Sequence, residues 1–130
     1  MSKPHPLTKR VLVVDDDADL VESFKILLES SGHRVACAYD GEEALQKAHD
    51  FQPEIILLDV ELPIQGGWLV CAKLKLMKSP PKIVFVTGST QPDLDQFAEF
   101  VQADSVLRKP FGMEQIERVI EFCDDLRASA

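Results

Sequence analysis

Cysteine is scarce: only Cys37, Cys71 and Cys123 occur in 130 residues, odd in number and widely spaced. That pattern excludes a disulfide framework and a zinc motif and predicts free thiols in a reducing compartment. Long apolar runs are missing as well. None approaches the roughly 20 residues that a membrane-spanning helix needs. The first residues are polar, carry Pro4 and Pro6, and lack the apolar core of a secretory signal. A cytoplasmic protein with no membrane partner is the expectation. Basic residues are outnumbered, 14 Lys and Arg against 22 Asp and Glu, for a formal net charge of -8. A surface that acidic disfavours direct contact with nucleic acid or anionic lipid. The two small basic clusters, Lys3 with Lys9 and Arg10, and Lys73 with Lys75 and Lys78, read as solvated faces. His5, His33 and His49 fall in no catalytic or metal-binding pattern. Internal repeats, linkers and low-complexity segments are absent.

What the chain does have is alternation. Strands are predicted over 10–15, 34–39, 54–59, 82–87 and 105–109, and helices over 18–31, 41–50, 68–77, 92–101 and 113–126. The first helix places Leu20, Phe24, Leu27 and Leu28 on one face and stops at Gly32. Asp40 reads as an N-cap followed by glutamates in the first helical turn. Ser79-Pro80-Pro81 breaks the third helix. Strands alternating with helices imply an α/β fold, a parallel sheet covered on both faces. One domain over 9–127 is expected, with a flexible leader over 1–8 and a short tail over 128–130.

The strand ends carry the chemistry. Val11-Leu12-Val13-Val14 runs into Asp15-Asp16-Asp17, and Ile55-Ile56-Leu57-Leu58 ends on Asp59. Continuous Val/Ile/Leu runs mark strands buried on both faces. Thr87 and Lys109 close two further strands. In a doubly wound sheet such ends share one edge, where ligands bind. Crowded carboxylates raise each other's cost of ionisation, and a hard divalent cation relieves it, Mg2+ being usual where phosphate is also bound. Carboxylates, one hydroxyl and one lysine form a coherent set for phosphoryl transfer. An ionised Asp can be the nucleophile, and a lysine and Mg2+ can neutralise charge on the transferring oxygens. Asp17 reads as an N-cap of the first helix, and Trp68 as packing.

Four segments, Val13-Val14-Asp15-Asp16, Leu58-Asp59-Val60-Glu61-Leu62-Pro63, Val86-Thr87-Gly88 and Lys109-Pro110-Phe111, resemble the receiver domain of bacterial two-component response regulators. The resemblance covers about residues 9–127. It implies a flavodoxin-like sheet of five strands in the order 2-1-3-4-5 with five helices. It implies Asp59 as phosphoacceptor, and Mg2+ or Mn2+ held by Asp16, Asp59 and the backbone carbonyl of Glu61, with Asp15 acting mainly through a metal-bound water. Thr87 would bond the phosphoryl group, and Lys109 would pair with Asp59 and then with the phosphate. A cis Lys109–Pro110 bond and a turn at Gly67 are further implications.

The resemblance also implies partners: a histidine kinase or histidine phosphotransfer protein as donor, and a protein target or second copy engaged through the fourth helix, fifth strand and fifth helix. It makes the protein a switch rather than an enzyme beyond accepting and hydrolysing its own phosphoryl group. Val106 stands where most members carry Tyr or Phe, which points to repacking of the fourth helix and fifth strand instead of an aromatic swing. Gly66 stands where an acidic residue is common, and Glu61 and Ser89 stand where members tune phosphoryl lifetime. Two other readings remain: a phosphorylation-independent interaction module, and a phosphatase of the haloacid dehalogenase type, which normally needs Asp two residues after its nucleophile, where Glu61 follows Asp59. The starting methionine and leader read as a natural N-terminus, of a stand-alone receiver or of a longer regulator.

Overall fold

Burial follows strand composition. In a computed structural model, which describes residues 8–62, 66–88 and 94–128 (backbone only from 124), the two Val/Ile/Leu runs form the inner strands of a parallel sheet. The elements run β1 (Arg10–Val14), α1 (Ala18–Ser30), β2 (Arg34–Ala38), α2 (Gly41–Phe51), β3 (Ile55–Asp59), α3 (Gly67–Leu74), β4 (Lys82–Thr87), α4 (Leu94–Phe100), β5 (Ser105–Arg108) and α5 (Met113–Ala128). The strand order is 2-1-3-4-5, all parallel, so the flavodoxin-like fold is as expected. Side chains alternate between the faces of a strand. Val11, Val13, Ile55, Leu57, Val84 and Val86 pack with Val21, Phe24 and Leu28 of α1 and Ile116 and Ile120 of α5. Leu12, Val14, Ile56, Leu58, Ile83 and Phe85 pack against α2, α3 and α4.

Local chemistry sets the helix ends. Asp17 is the N-cap of α1: its Oδ1 accepts from the N–H groups of Asp19 and Leu20 at 3.1 and 3.2 Å. Asp40 caps α2 by accepting from Glu43 N–H at 2.8 Å, and Glu43 Oε1 accepts from Tyr39 N–H at 2.7 Å, a reciprocal pair that satisfies two donors. Gly32, at φ +92°, follows α1 as expected of a residue without Cβ.

Several expectations need correction. The third helix ends at Leu74, not Met77; Leu76 and Met77 close 3₁₀-type turns on Lys73 and Leu74, since the segment must leave helical geometry before Ser79-Pro80-Pro81. The fifth helix runs to Ala128, past the predicted Leu126 and into the predicted tail. Leu27 is 38% exposed and off the buried face of α1, where Val21 sits instead. The basic clusters are not simply solvated. Lys9 and Arg10 pair with Glu54, and Lys75 Nζ lies 2.6 Å from Asp104 Oδ2, which also accepts from Ile83 N–H at 2.7 Å. Residues 1–7 of the expected leader over 1–8, including Lys3 and His5, together with Pro63, Ser89 and the predicted start of the fourth helix at Pro92, lie outside the described residues.

Candidate functional site: an acidic pocket at the carboxyl edge of the sheet

Register brings the acidic strand ends together. Val14 pairs with Leu58 across β1 and β3, so the next residues, Asp15 and Asp59, emerge side by side at the carboxyl edge. Asp59 pairs with Val86 of β4, which puts Thr87 one step beyond. Thr87 pairs with Arg108 of β5, and Lys109 N–H donates to the Thr87 carbonyl at 2.8 Å. A cavity of about 510 Å³ opens there, lined by Asp15, Asp16, Asp17, Asp59, Glu61, Thr87, Gly88 and Lys109. Every site residue predicted from the sequence therefore falls on one pocket.

Carboxylate oxygens of Asp15, Asp16 and Asp59 all lie within 4.8 Å of one another. Asp15 and Asp59 are buried, at 3% and 8% exposure, whereas Asp16 is exposed. Backbone amides hold both buried groups: Asp15 Oδ1 accepts from Asp17 N–H at 2.9 Å, and Asp59 Oδ1 from Glu61 N–H at 3.1 Å. Burial pushes the Asp15 carboxyl above its ordinary value; the Asp17 amide and Lys109 oppose that rise. Burial likewise pushes Asp59 up, opposed by the Glu61 amide; the charge of Asp15 raises it further, Lys109 lowers it and Asp16 raises it. The two buried carboxyls thus resist ionising together, as a site built for a cation does.

Lys109 departs from its expected pairing. Its Nζ lies 3.4 Å from Asp15 Oδ2, and it acts on Asp59 only through space. The Lys109–Pro110 peptide is cis. Phe111 then stacks on Phe24 of α1, ring centroids 4.9 Å apart, which ties the segment after β5 to α1.

Gly67 fixes the other wall. A Cβ there would lie 2.4 Å from the Asp59 carbonyl oxygen and 2.8 Å from Val60 Cα, and Gly67 N–H donates to the Val60 carbonyl at 2.9 Å. Only glycine allows the start of α3 to seat directly on the chain leaving the acceptor strand.

Several residues outside the pocket make packing and backbone contacts. Trp68 packs on Phe85 and Phe97, as expected of a packing residue. His33 Nδ1 accepts from Lys9 N–H at 3.0 Å. All three cysteines are free thiols, and burial pushes Cys71 and Cys123 up to about 11, which leaves them little thiolate at neutral pH. Sequence reading missed the Lys75–Asp104 clasp, because its partners are 29 residues apart; the unusual pairing of Lys75 with Pro81 and Asp104 is a tertiary contact that no local pattern signals.

A doubly wound parallel sheet with carboxylates, a hydroxyl and a lysine on its carboxyl edge defines a class, the phosphoryl-accepting α/β switch. The chain belongs to the response regulator receiver domain family, whose family model matches residues 11–121. It is 36% identical over 110 residues to the alkaline phosphatase synthesis transcriptional regulatory protein PhoP of Bacillus subtilis, a match spanning 85% of this chain and 46% of that protein. The chain thus spans about half the length of the curated relatives it matches. A CheY-like receiver domain protein from Methanospirillum hungatei superposes with TM-score 0.86 at 28% identity, over 95% of this chain and 99% of the other. The chemotaxis protein CheY4 of Vibrio cholerae gives 0.83 at 28% identity, over 88% and 97%. Receiver domains of this family are phosphoacceptor signalling switches of two-component systems, not generally classed as enzymes, which bind Mg2+ at an acidic cluster and interact with histidine kinases and downstream effectors. Among the described residues no helix is long and apolar enough to cross a membrane.

Proposed function

We propose that Asp59 is the phosphoacceptor of this domain, that Asp15, Asp16, Asp59 and the Glu61 backbone carbonyl hold Mg2+ or Mn2+, and that Thr87 and Lys109 bind the arriving phosphoryl group. The convergence of three carboxylates within 4.8 Å of one another carries this reading. An octahedral Mg2+ places ligand oxygens about 3–4 Å apart, so the cluster needs only a small contraction to serve it. Hard oxygen donors with two reluctantly ionised members fit that ion. Bound there, Mg2+ would neutralise charge on the transferring oxygens.

The chain's own residues supply the rest. An ionised Asp59 oxygen attacks the phosphorus of a donor phosphohistidine; an O–P bond forms, the P–N bond breaks, and its electron pair stays on the imidazole. The Glu61 amide orients the Asp59 carboxylate through Oδ1, and an already ionised carboxylate needs no general base. Lys109 exchanges its Asp15 contact for the phosphoryl oxygens, and Thr87 donates its hydroxyl to one of them. Water later attacks phosphorus, returning inorganic phosphate and the Asp59 carboxylate.

The donor is a histidine kinase or histidine phosphotransfer protein. An apolar groove lined by Leu20, Phe24 and Leu27 of α1 with Pro110 and Phe111, about 290 Å³, meets the acidic pocket at Lys109, and we place the donor's docking helix there. The output is a protein target or second copy engaged by α4, β5 and α5, in the cytoplasm, with no direct nucleic-acid contact by this acidic domain. Asp59→Asn abolishes labelling by acetyl phosphate with Mg2+; unchanged labelling of that variant contradicts the assignment. One observation favours a second reading, a phosphorylation-independent interaction module: the half-buried Val106 beside Phe85 in the sheet offers no ring to swing. Beryllium fluoride with Mg2+ separates the two, since an inert module shows no amide shifts.

A further inference from the structure

We propose that Trp68 couples the phosphate pocket to α4, acting as a wedge between Phe85 of β4 and Phe97 of α4. The inference rests on the phosphoacceptor reading above and concerns what the pocket moves.

Trp68 lies outside the pocket but is linked to it in two ways. Its backbone follows Gly67, which is seated on the Asp59 and Val60 backbone and bonded to the Val60 carbonyl. Its ring lies 4.6 Å from that of Phe85, tilted by 58°. Phe85 is fully buried and stands two residues before Thr87 on the same side of β4. A displacement at Asp59 or at Thr87 therefore reaches the indole through packed backbone or through a packed ring.

On its far side the indole lies 5.6 Å from Phe97, tilted by 47°. Phe97 belongs to a helix of 7 residues that buries only Leu94 and Ala98 among its described side chains. Leu94 and Ala98 seat this helix on the sheet layer, and Phe97 beside them meets the indole. A further link from this edge to α4 is Arg108 to Asp95 at 3.1 Å, with side chains 45% and 73% exposed; solvent screens a pair of that kind. Val106, the sheet neighbour of Phe85, packs against the same cluster but carries no ring. The aromatic series Phe85–Trp68–Phe97 is the route through which interior packing, which passes between discrete arrangements, can pass on a shift. Moving Phe97 off Trp68 also changes the outward face of α4, where Phe97 is 49% and Phe100 83% exposed.

Trp68 is the only tryptophan, so its emission reads the wedge directly. The test loads wild type, Trp68→Leu and Phe97→Leu with beryllium fluoride and Mg2+, and follows Trp68 emission and backbone amide shifts. In parallel, acetyl phosphate labelling of each is measured by intact mass. Expected are wild-type labelling in all three, an emission change in the wild type, and amide shifts at Thr87 in all three. The amide shifts at Phe97, Ala98 and Phe100 are expected in the wild type and lost in both variants. Phe97→Leu changes a half-exposed ring and so keeps the test valid if Trp68→Leu unfolds. Wild-type α4 shifts in the Phe97→Leu protein overturn the wedge while leaving the acceptor assignment intact. Failure of the wild type to label overturns the acceptor assignment, and the wedge with it.

Discussion

Asp15 and Asp59 hold their carboxyls above the ordinary value because burial strips water from the charged form faster than one lysine and two amides can compensate. The sign of the stability consequence follows. A folded-state value above the unfolded 3.8 means the native protein binds more protons in the interval between them, so stability falls as pH rises through it. The stabilising contribution is fully present below 3.8 and is lost once pH passes the raised folded values. With chelator present, the urea midpoint should therefore decline as pH rises through that window, and the decline should be smaller in Asp59→Asn, which keeps an acceptor for the Glu61 amide but carries no charge. Adding Mg2+ at neutral pH should raise the midpoint, and the unfolding free energy by about 2.7 kcal/mol at a hundred times its dissociation constant. A midpoint that climbs with pH in chelator contradicts this electrostatic account. At this scale the acidic residues were legible because each ends an apolar strand, where a carboxylate has no structural reason to be. The Lys109 contact with Asp15 was not legible, since which carboxylate the ammonium reaches depends on packing around the pocket.

Strands were easier to read than helix ends. β1 and β3 are buried on both faces, so their runs of Val, Ile and Leu carry the signal without interruption, and β4 matches its predicted limits at both ends. α3 was read too long because its last turn looks helical locally, while the Lys75 clasp and the prolines beyond it decide the outcome. Two variants test how elements are joined. Gly67→Ala forces backbone apart at the start of α3; the expected cost is about 1–3 kcal/mol, together with weaker Mg2+ binding because the Asp59–Glu61 turn must shift. Urea unfolding and a Mg2+ titration check both, and an unchanged affinity would show that the turn yields elsewhere. Asp104→Ala leaves the Ile83 N–H without its acceptor and the Lys75 ammonium with only the Pro81 carbonyl. Both side chains of the pair retain some exposure, 14% and 15%, so the loss should be about 2–3 kcal/mol, below that of a fully buried pair. Lys75→Met in the same protein should recover part of it.

For the whole molecule, the order 2-1-3-4-5 matters more than any single element, because it places the switch point between β1 and β3 and so creates the pocket. Periodicity predicts that strands exist but says nothing of which lie adjacent; only the resemblance of the four strand-end segments carried that order. Helices α1 and α5 cover one face and α2, α3 and α4 the other, so the phosphoryl site sits on an edge that both layers can feel. The central claim is that this edge makes Asp59 a phosphoacceptor. Its most direct test is borohydride reduction after incubation with acetyl phosphate and Mg2+, which converts an aspartyl phosphate to homoserine, followed by peptide mass mapping. The account predicts homoserine at position 59 alone, and none when Mg2+ is chelated. Reduction product at Asp15 or Asp16, or at no residue while the protein still takes up phosphate, would contradict it.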